Sequence, residues 1–162
     1  MTTITPRIAN QRIANSPQPT RPPLTQGSLE LLDRAHDSLL RALTASSVGE
    51  RYVAAHLAAL RAAAAVLAVR GRPTGRGRPR SVWEVLPGVA PELGEWATFF
   101  NAGAARRAAV EAGRDEVVST READDLVRDA ESFLRLASTA IGLRSVPLAL
   151  PLGALPVAGH ER

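Results

Sequence analysis

The chain has 162 residues, enough for one hydrophobic core and too few for two comfortable domains. Apolar residues make up 45% of it and aromatics only 4%, with alanine dominant, a balance that suits closely approaching helices and argues against a sandwich or barrel. Cysteine is absent, which removes disulfides, thiolate nucleophiles and the usual zinc ligands, and the formal charge of +4 rests on arginine alone because there is no lysine.

Arginine and alanine in place of lysine and isoleucine is what a GC-rich genome encodes, so the pI of about 11.1 is weak evidence for nucleic-acid binding. Neither end carries a charged head, a long apolar core and a small-residue cleavage site, and no uninterrupted apolar run reaches about 18 residues. The expected location is cytoplasmic, with no membrane contact.

Residues 1–27 are rich in Thr, Pro, Asn and Gln and contain a short duplication, Arg7-Ile8-Ala9-Asn10 and then Arg12-Ile13-Ala14-Asn15. Too little apolar surface is present to offset the ordering entropy, which predicts a flexible leader. The duplication reads either as a slip in a tail or as a peptide motif for a partner.

The spacing predicts a first helix from Ser28 to about Ala45, with Leu29, Leu32, His36, Leu39, Leu40 and Leu43 along one stripe. On its charged face Glu30 precedes Arg34 by one turn and Asp37 precedes Arg41. Ser47-Val48-Gly49-Glu50 is a capping box that opens a second helix, Arg51 to Arg70. That helix is apolar on nearly every face, reads as too short and too polar to span a membrane, and is therefore expected at the centre of a bundle.

From Arg70 to Arg80 alternating Gly and Pro break the helix and leave a basic loop holding Arg70, Arg72, Arg76, Arg78 and Arg80. Ser81-Val82-Trp83-Glu84 is a second capping box, for a short helical turn closed by Pro87 and Gly88, with Trp83 docked on the core. Pro91 suits the first position of a third long helix, whose inner edge is Trp96, Phe99 and Phe100, whose Gly103 allows close approach, and which Gly113 stops. Ser119 to Glu122 caps a final helix with Leu126, Ala130, Phe133, Leu134, Ala137 and Ile141 as its stripe, ended by Gly142. On its exposed side Asp124 with Arg128 and Glu131 with Arg135 repeat the acid-first spacing.

The fold class is all-α: a four-helix up-and-down bundle over residues 28–142 with an extra short helical turn, flanked by a flexible leader and an apolar, proline-broken tail at 143–162. The tail reads as packing on the bundle, engaging a partner's groove, or staying unstructured.

The two leading helices, Leu31 to Ala45 and Arg51 to Leu67, and above all Arg51-Tyr52-Val53-Ala54-Ala55-His56-Leu57-Ala58-Ala59-Leu60-Arg61-Ala62, resemble the HEPN domain. The last helix, from Arg121 to Leu134, is similar to that family's closing helix, and with Ser81 to Glu84 and Trp96 to Phe100 the chain looks like a small actinobacterial HEPN-like family over about residues 29–141. The resemblance implies a bundle, commonly dimeric, that serves either as a metal-independent ribonuclease or as a non-catalytic binding module. Active members carry an arginine, four to six residues, and a histidine on a later helix. Here Arg106 and Arg107 stand on that helix without a following histidine, and His160 is too distant to complete the motif.

The same spacing occurs at Arg51 and His56, although five helical residues place side chains about 140° apart. In a ribonuclease His56 would move the 2′-hydroxyl or leaving-group proton and Arg51 would stabilise the phosphorane charge. The opposing reading is a satisfied core histidine. Asp124, Asp125 and Asp129 read as a solvated face, so no metal and no other cofactor is expected, and the glycines of the basic loop lack a P-loop's strand and lysine.

Arg70, Arg72, Arg76, Arg78, Arg80, Arg106 and Arg107 are the candidate phosphate contacts for RNA or another nucleic acid, without an aromatic to stack bases. The leading expectation is a HEPN-like non-catalytic module that binds nucleic acid or a partner protein. A ribonuclease using Arg51 and His56 is the second reading, and a purely structural homodimer the third.

Overall fold

A computed structural model describes residues 23–71 and 80–143; the leader before residue 23, the stretch 72–79 and the tail after residue 143 lie outside the described residues. The helices are α1 (Gln26–Thr44), α2 (Val48–Arg70), α3 (Val82–Val89), α4 (Gly94–Glu111) and α5 (Thr120–Ala140). Short 3-10 turns at Pro91–Leu93 and Asp115–Val117 lead into α4 and α5. There is no strand among the described residues, and the architecture is the all-α bundle that the pattern of caps and stripes predicts.

Local chemistry sets the helix ends. Ser81 and Glu84 satisfy each other's free amides at the start of α3, and Ser119 and Glu122 do so at the start of α5. At α2 only half of the expected box forms: Ser47 accepts from the Glu50 amide, while the Glu50 carboxylate accepts from Ser46 instead. Thr25 and Ser28 form an unexpected box that starts α1 two residues early, since a serine can serve where glutamate usually does. Pro87 and Gly88 do not close α3, which runs on to Val89. Gly113 and Gly142 sit just past their helices at φ of 86° and 91°, the left-handed backbone that glycine adopts without strain.

The side-chain pairings fix the directions. Arg51 and Asp124 meet near the starts of α2 and α5, and Arg70 reaches Ala140 at their ends, so these two helices run parallel. On α4, the Phe100 carbonyl meets His56 while Val110 lies against Gly49, which makes α4 antiparallel to α2. The result is an up-and-down bundle in which α2 touches every other helix.

Ala55, Ala58, Ala59, Ala62, Ala63 and Ala65 are fully buried on α2, and their small side chains let α1 and α5 approach closely. By length and composition α2 is long and apolar enough to cross a membrane, contrary to the expectation that it is too short and polar; 61% of its most apolar window is buried inside the bundle.

Two helices show a different inner face from the one their large residues suggest. On α1 the core takes Ser28, Leu32, Ala35, Ser38 and Ala42, while Leu29, Leu40 and Leu43 are 41%, 61% and 61% exposed. The alanine wall of α2 takes mostly the small side of α1, with Leu32 the one leucine buried there and Leu39 packed at its edge. The two buried hydroxyls are satisfied within α1's own turns, Ser28 donating to the Thr25 carbonyl at 2.7 Å and Ser38 to the Arg34 carbonyl at 2.8 Å. On α4 Phe100 is buried, Trp96 is half-buried and Phe99 is 47% exposed, so the inner edge is narrower than predicted. Trp83 docks as expected, stacked on Phe100 with ring centroids 5.2 Å apart. The whole predicted stripe of α5, Leu126 through Ile141, is buried.

Candidate functional site

Helices α4 and α5 both pack on α2 but leave a cleft of about 560 Å³ between them. Its floor is Tyr52 and His56, its α4 wall carries Phe99, Phe100 and Arg106, and its α5 wall carries Asp125, Leu126 and Asp129. Gly103 makes the floor possible: a Cβ there would lie 3.1 Å from the Tyr52 hydroxyl and 3.4 Å from the His56 ring. Ionic contact between Arg106 and Glu122, at 2.8 Å, ties the two walls together.

His56 is fully buried. An Arg107 N–H donates to its Nδ1 at 3.2 Å, so Nε2 carries the ring proton and donates to the Phe100 carbonyl at 2.8 Å. Burial pushes its pKa below the ordinary histidine value, and the Arg107 charge adds to that effect against the opposing pull of the Phe100 carbonyl and Glu111. The imidazole is therefore neutral and has both nitrogens in use. Arg107 Nε is buried beside it with no hydrogen-bond partner, 3.7 Å from the Glu111 carboxylate.

Arg51 and His56 are not brought together. Arg51 turns to α5, where it pairs with Asp124 at 2.6 Å, and it also donates to the Ala45 carbonyl. This follows from their angular offset on α2: one side chain points at the rim and the other into the core. The partner that sequence spacing missed is Arg107, separated from His56 by 51 positions. The signal available was Gly103, one turn before Arg107, where α4 had to pass close to something.

The other arginines fall into different roles. Arg70 donates to the Val89 and Ala140 carbonyls and pairs with Glu92 at 2.6 Å, holding the ends of α2, α3 and α5 together. Those bonds draw the Glu92 carboxyl below its ordinary pKa. Arg80 is exposed ahead of α3, whereas Arg72, Arg76 and Arg78 lie outside the described residues.

The cleft is acidic. Glu122, Asp125 and Asp129 are spaced to share one side of α5. Hydrogen bonds from Ser119, aided by Arg106, hold Glu122 below the usual carboxylate range. Asp125 pairs with Arg121 and Arg128. Asp129 has no ion pair among the described residues, and burial followed by repulsion from Asp125 raises its pKa against the opposing charge of Arg128. Asp124, read with these as a solvated face, belongs to the Arg51 contact instead.

Charge is divided unevenly along the chain. The described residues hold twelve arginines and fifteen carboxylates, a net charge of −3, while the remaining segments hold eight arginines and one glutamate, a net charge of +7. The high pI thus describes the segments around the bundle and not the bundle itself.

A family model described as SAV_6107-like HEPN matches residues 42–138, from the last turn of α1 almost to the end of α5. The chain belongs to the HEPN family. No curated protein and no solved structure matches it. Within this HEPN domain the arginine and histidine that the family resemblance seeks on one helix meet across two, as Arg107 and His56, at a part-buried contact where His56 is in the core and Arg107 reaches its edge. No group of three His, Asp or Glu side chains among the described residues is arranged to hold a metal ion.

Proposed function

We propose that this HEPN domain is a non-catalytic, cytosolic binding module that receives a cationic segment of a partner protein at the α4–α5 cleft. The observation that carries this reading is the state of His56: fully buried, with Nε2 spent on the Phe100 carbonyl and Nδ1 on Arg107. A general acid or base must reach the proton it moves, directly or through one water, and an imidazole sealed in this way does not. The cleft above it combines an exposed aromatic ring, Phe99, with the Asp129 carboxylate, which suits a basic side chain on an apolar stem. The same carboxylates repel phosphate.

The arginines from position 70 to 80 favour a second reading, nucleic-acid binding outside the cleft, through exposed Arg80 and the neighbouring Arg72, Arg76 and Arg78. Ribonuclease activity and a purely structural homodimer rank behind these two. One set of assays on the full chain separates them. Single-stranded RNA incubated in EDTA is expected to stay intact, and an arginine-rich peptide is expected to bind and to lose affinity in the Asp125→Asn/Asp129→Asn variant. RNA cleavage that disappears in His56→Ala would replace the binding reading with catalysis. Salt-sensitive RNA binding that disappears when Arg72, Arg76, Arg78 and Arg80 become serine, with no peptide binding, would move the function to the basic loop.

A further inference from the structure

The uneven charge raises the question of where the cationic segments of this chain rest. An acidic bundle joined to segments with a net charge of +7 experiences a permanent attraction at short range. The α4–α5 cleft offers both an apolar wall, Phe99 and Leu126, and the Asp129 carboxylate, which makes no ion pair among the described residues. The leader places arginine directly beside a large aliphatic side chain twice, Arg7-Ile8 and Arg12-Ile13 within the repeated Arg-Ile-Ala-Asn unit, whereas the tail does so once, at its junction with the bundle, Leu143-Arg144. The stretch 72–79 has arginines without a large aliphatic side chain, and the apolar part of the tail has no charge between residues 145 and 160.

Reach is sufficient. The leader joins α1 at Gln26, and α1 runs antiparallel to α2, since Arg51 reaches the Ala45 carbonyl and Arg61 the Arg34 carbonyl, so this junction lies at the end of the bundle where α5 finishes. Asp129 is eleven residues from Ala140, or about 16 Å along the α5 axis, and crossing α5 adds roughly one helix diameter of about 10–12 Å. The ten residues between Arg12 and position 22 span up to about 33 Å when extended. Arg7 and Arg12 are then separated by at most about 17 Å of chain, and the Asp129 and Glu122 positions by about 10 Å of helix, a difference that two arginine stems absorb.

We propose that the duplicated leader motif, residues 7–15, docks in cis across the α4–α5 cleft, its arginines on the α5 carboxylates and its isoleucines on the Phe99 and Leu126 wall. The contact occupies the surface a foreign cationic segment would use, and it stands whether or not such a partner exists. It makes the leader a built-in competitor at that surface, weakened by salt and displaced by any segment with higher affinity.

Because the chain contains no cysteine, a single spin label is placed by Gln11→Cys between the two repeats, in the full chain, and read through backbone amide intensities. Docking predicts that intensities at Phe99, Gly103 and Asp125 fall several-fold relative to Ala54 and Leu57, which line a separate groove between α1 and α4. The loss is expected to vanish in Arg7→Ala/Arg12→Ala, whose positions lie outside the described residues. It is also expected to vanish in Asp125→Asn/Asp129→Asn with an unchanged thermal midpoint, and if that variant unfolds, the arginine variant alone decides. An absent loss, a loss spread evenly over both grooves, or a loss that appears only between separate molecules in a mixture of spin-labelled and isotope-labelled chains overturns the proposal. Since no foreign partner enters this experiment, its failure leaves the cleft free for one, and failure of peptide binding leaves the leader contact standing.

Discussion

Replacing His56 by alanine tests whether this residue is part of the core or a working group. The substitution removes an imidazole that is fully buried, contacts the Trp83 and Phe100 rings edge-on, and bonds to the Phe100 carbonyl and Arg107. Large-to-small changes at such positions cost roughly 2–5 kcal/mol, and each lost hydrogen bond about 1 kcal/mol, offset in part because the desolvated polar ring is gone. A net loss of about 3 kcal/mol is expected. With a urea dependence of about 2 kcal/mol per molar, the unfolding midpoint drops by roughly 1.5 M. The same residue leaves a signature in pH. Its folded pKa lies below the ordinary value of 6.5, so between the two values the unfolded chain binds the extra proton. Stability is complete above about pH 6.5 and declines as pH falls, with a limiting slope of about 1.4 kcal/mol per unit. Subtracting the His56→Ala profile isolates this slope, because the variant lacks the group. Equal midpoints at pH 7, or parallel profiles between pH 5 and 7, would refute the buried, neutral assignment.

Two further substitutions test the packing. Arg70→Ala removes the contacts to Val89, Ala140 and Glu92 and is expected to cost about 1–3 kcal/mol, measured by thermal unfolding, whereas Arg80→Ala should stay within about 0.5 kcal/mol. On α1, Ala42→Leu overfills the contact with α2 and should cost roughly 1–3 kcal/mol, while Leu43→Lys, one position away and 61% exposed, should change stability by less than about 0.5 kcal/mol. The reverse order would restore the leucine stripe as the inner face.

Much of the bundle was legible because its signals are local. Ser81 with Glu84, Ser119 with Glu122, and the glycines at 113 and 142 each act within one turn, and they marked the starts of α3 and α5 and the ends of α4 and α5. The inner face of α5 was legible too, because one large apolar stripe faces one charged side. On α1 the rule that larger residues point inward held at Leu32 and Leu39 and failed at Leu29, Leu40 and Leu43: the neighbouring surface is alanine, and shape outweighed side-chain area. The site was the least legible part. His56 depends on Phe100 and Arg107, 44 and 51 positions away, and helical spacing carries no information at that range. A spacing rule that selects Arg51 for His56 succeeds only when both stand on one side of one helix, and here Arg51 meets Asp124.

The division of charge changes what the arginine content means. A net charge summed over the whole chain suggests a basic protein steering toward polyanions, and that inference holds only when the charge is spread over one surface. In this HEPN domain Arg51, Arg70 and Arg106 are spent on Asp124, Glu92 and Glu122, where they join one helical segment to another, and Arg107 lies beside Glu111 one turn along α4. What remains on α5 beside the cleft is acidic, and Asp129 makes no ion pair among the described residues. Cationic segments and an acidic cleft in the same chain set up competition between internal and external ligands, and increasing ionic strength shifts that competition by screening the weaker contact first. Affinity of the cleft for an added basic peptide is therefore expected to rise, not fall, when Arg7 and Arg12 are replaced by alanine, since removing the internal competitor exposes the site.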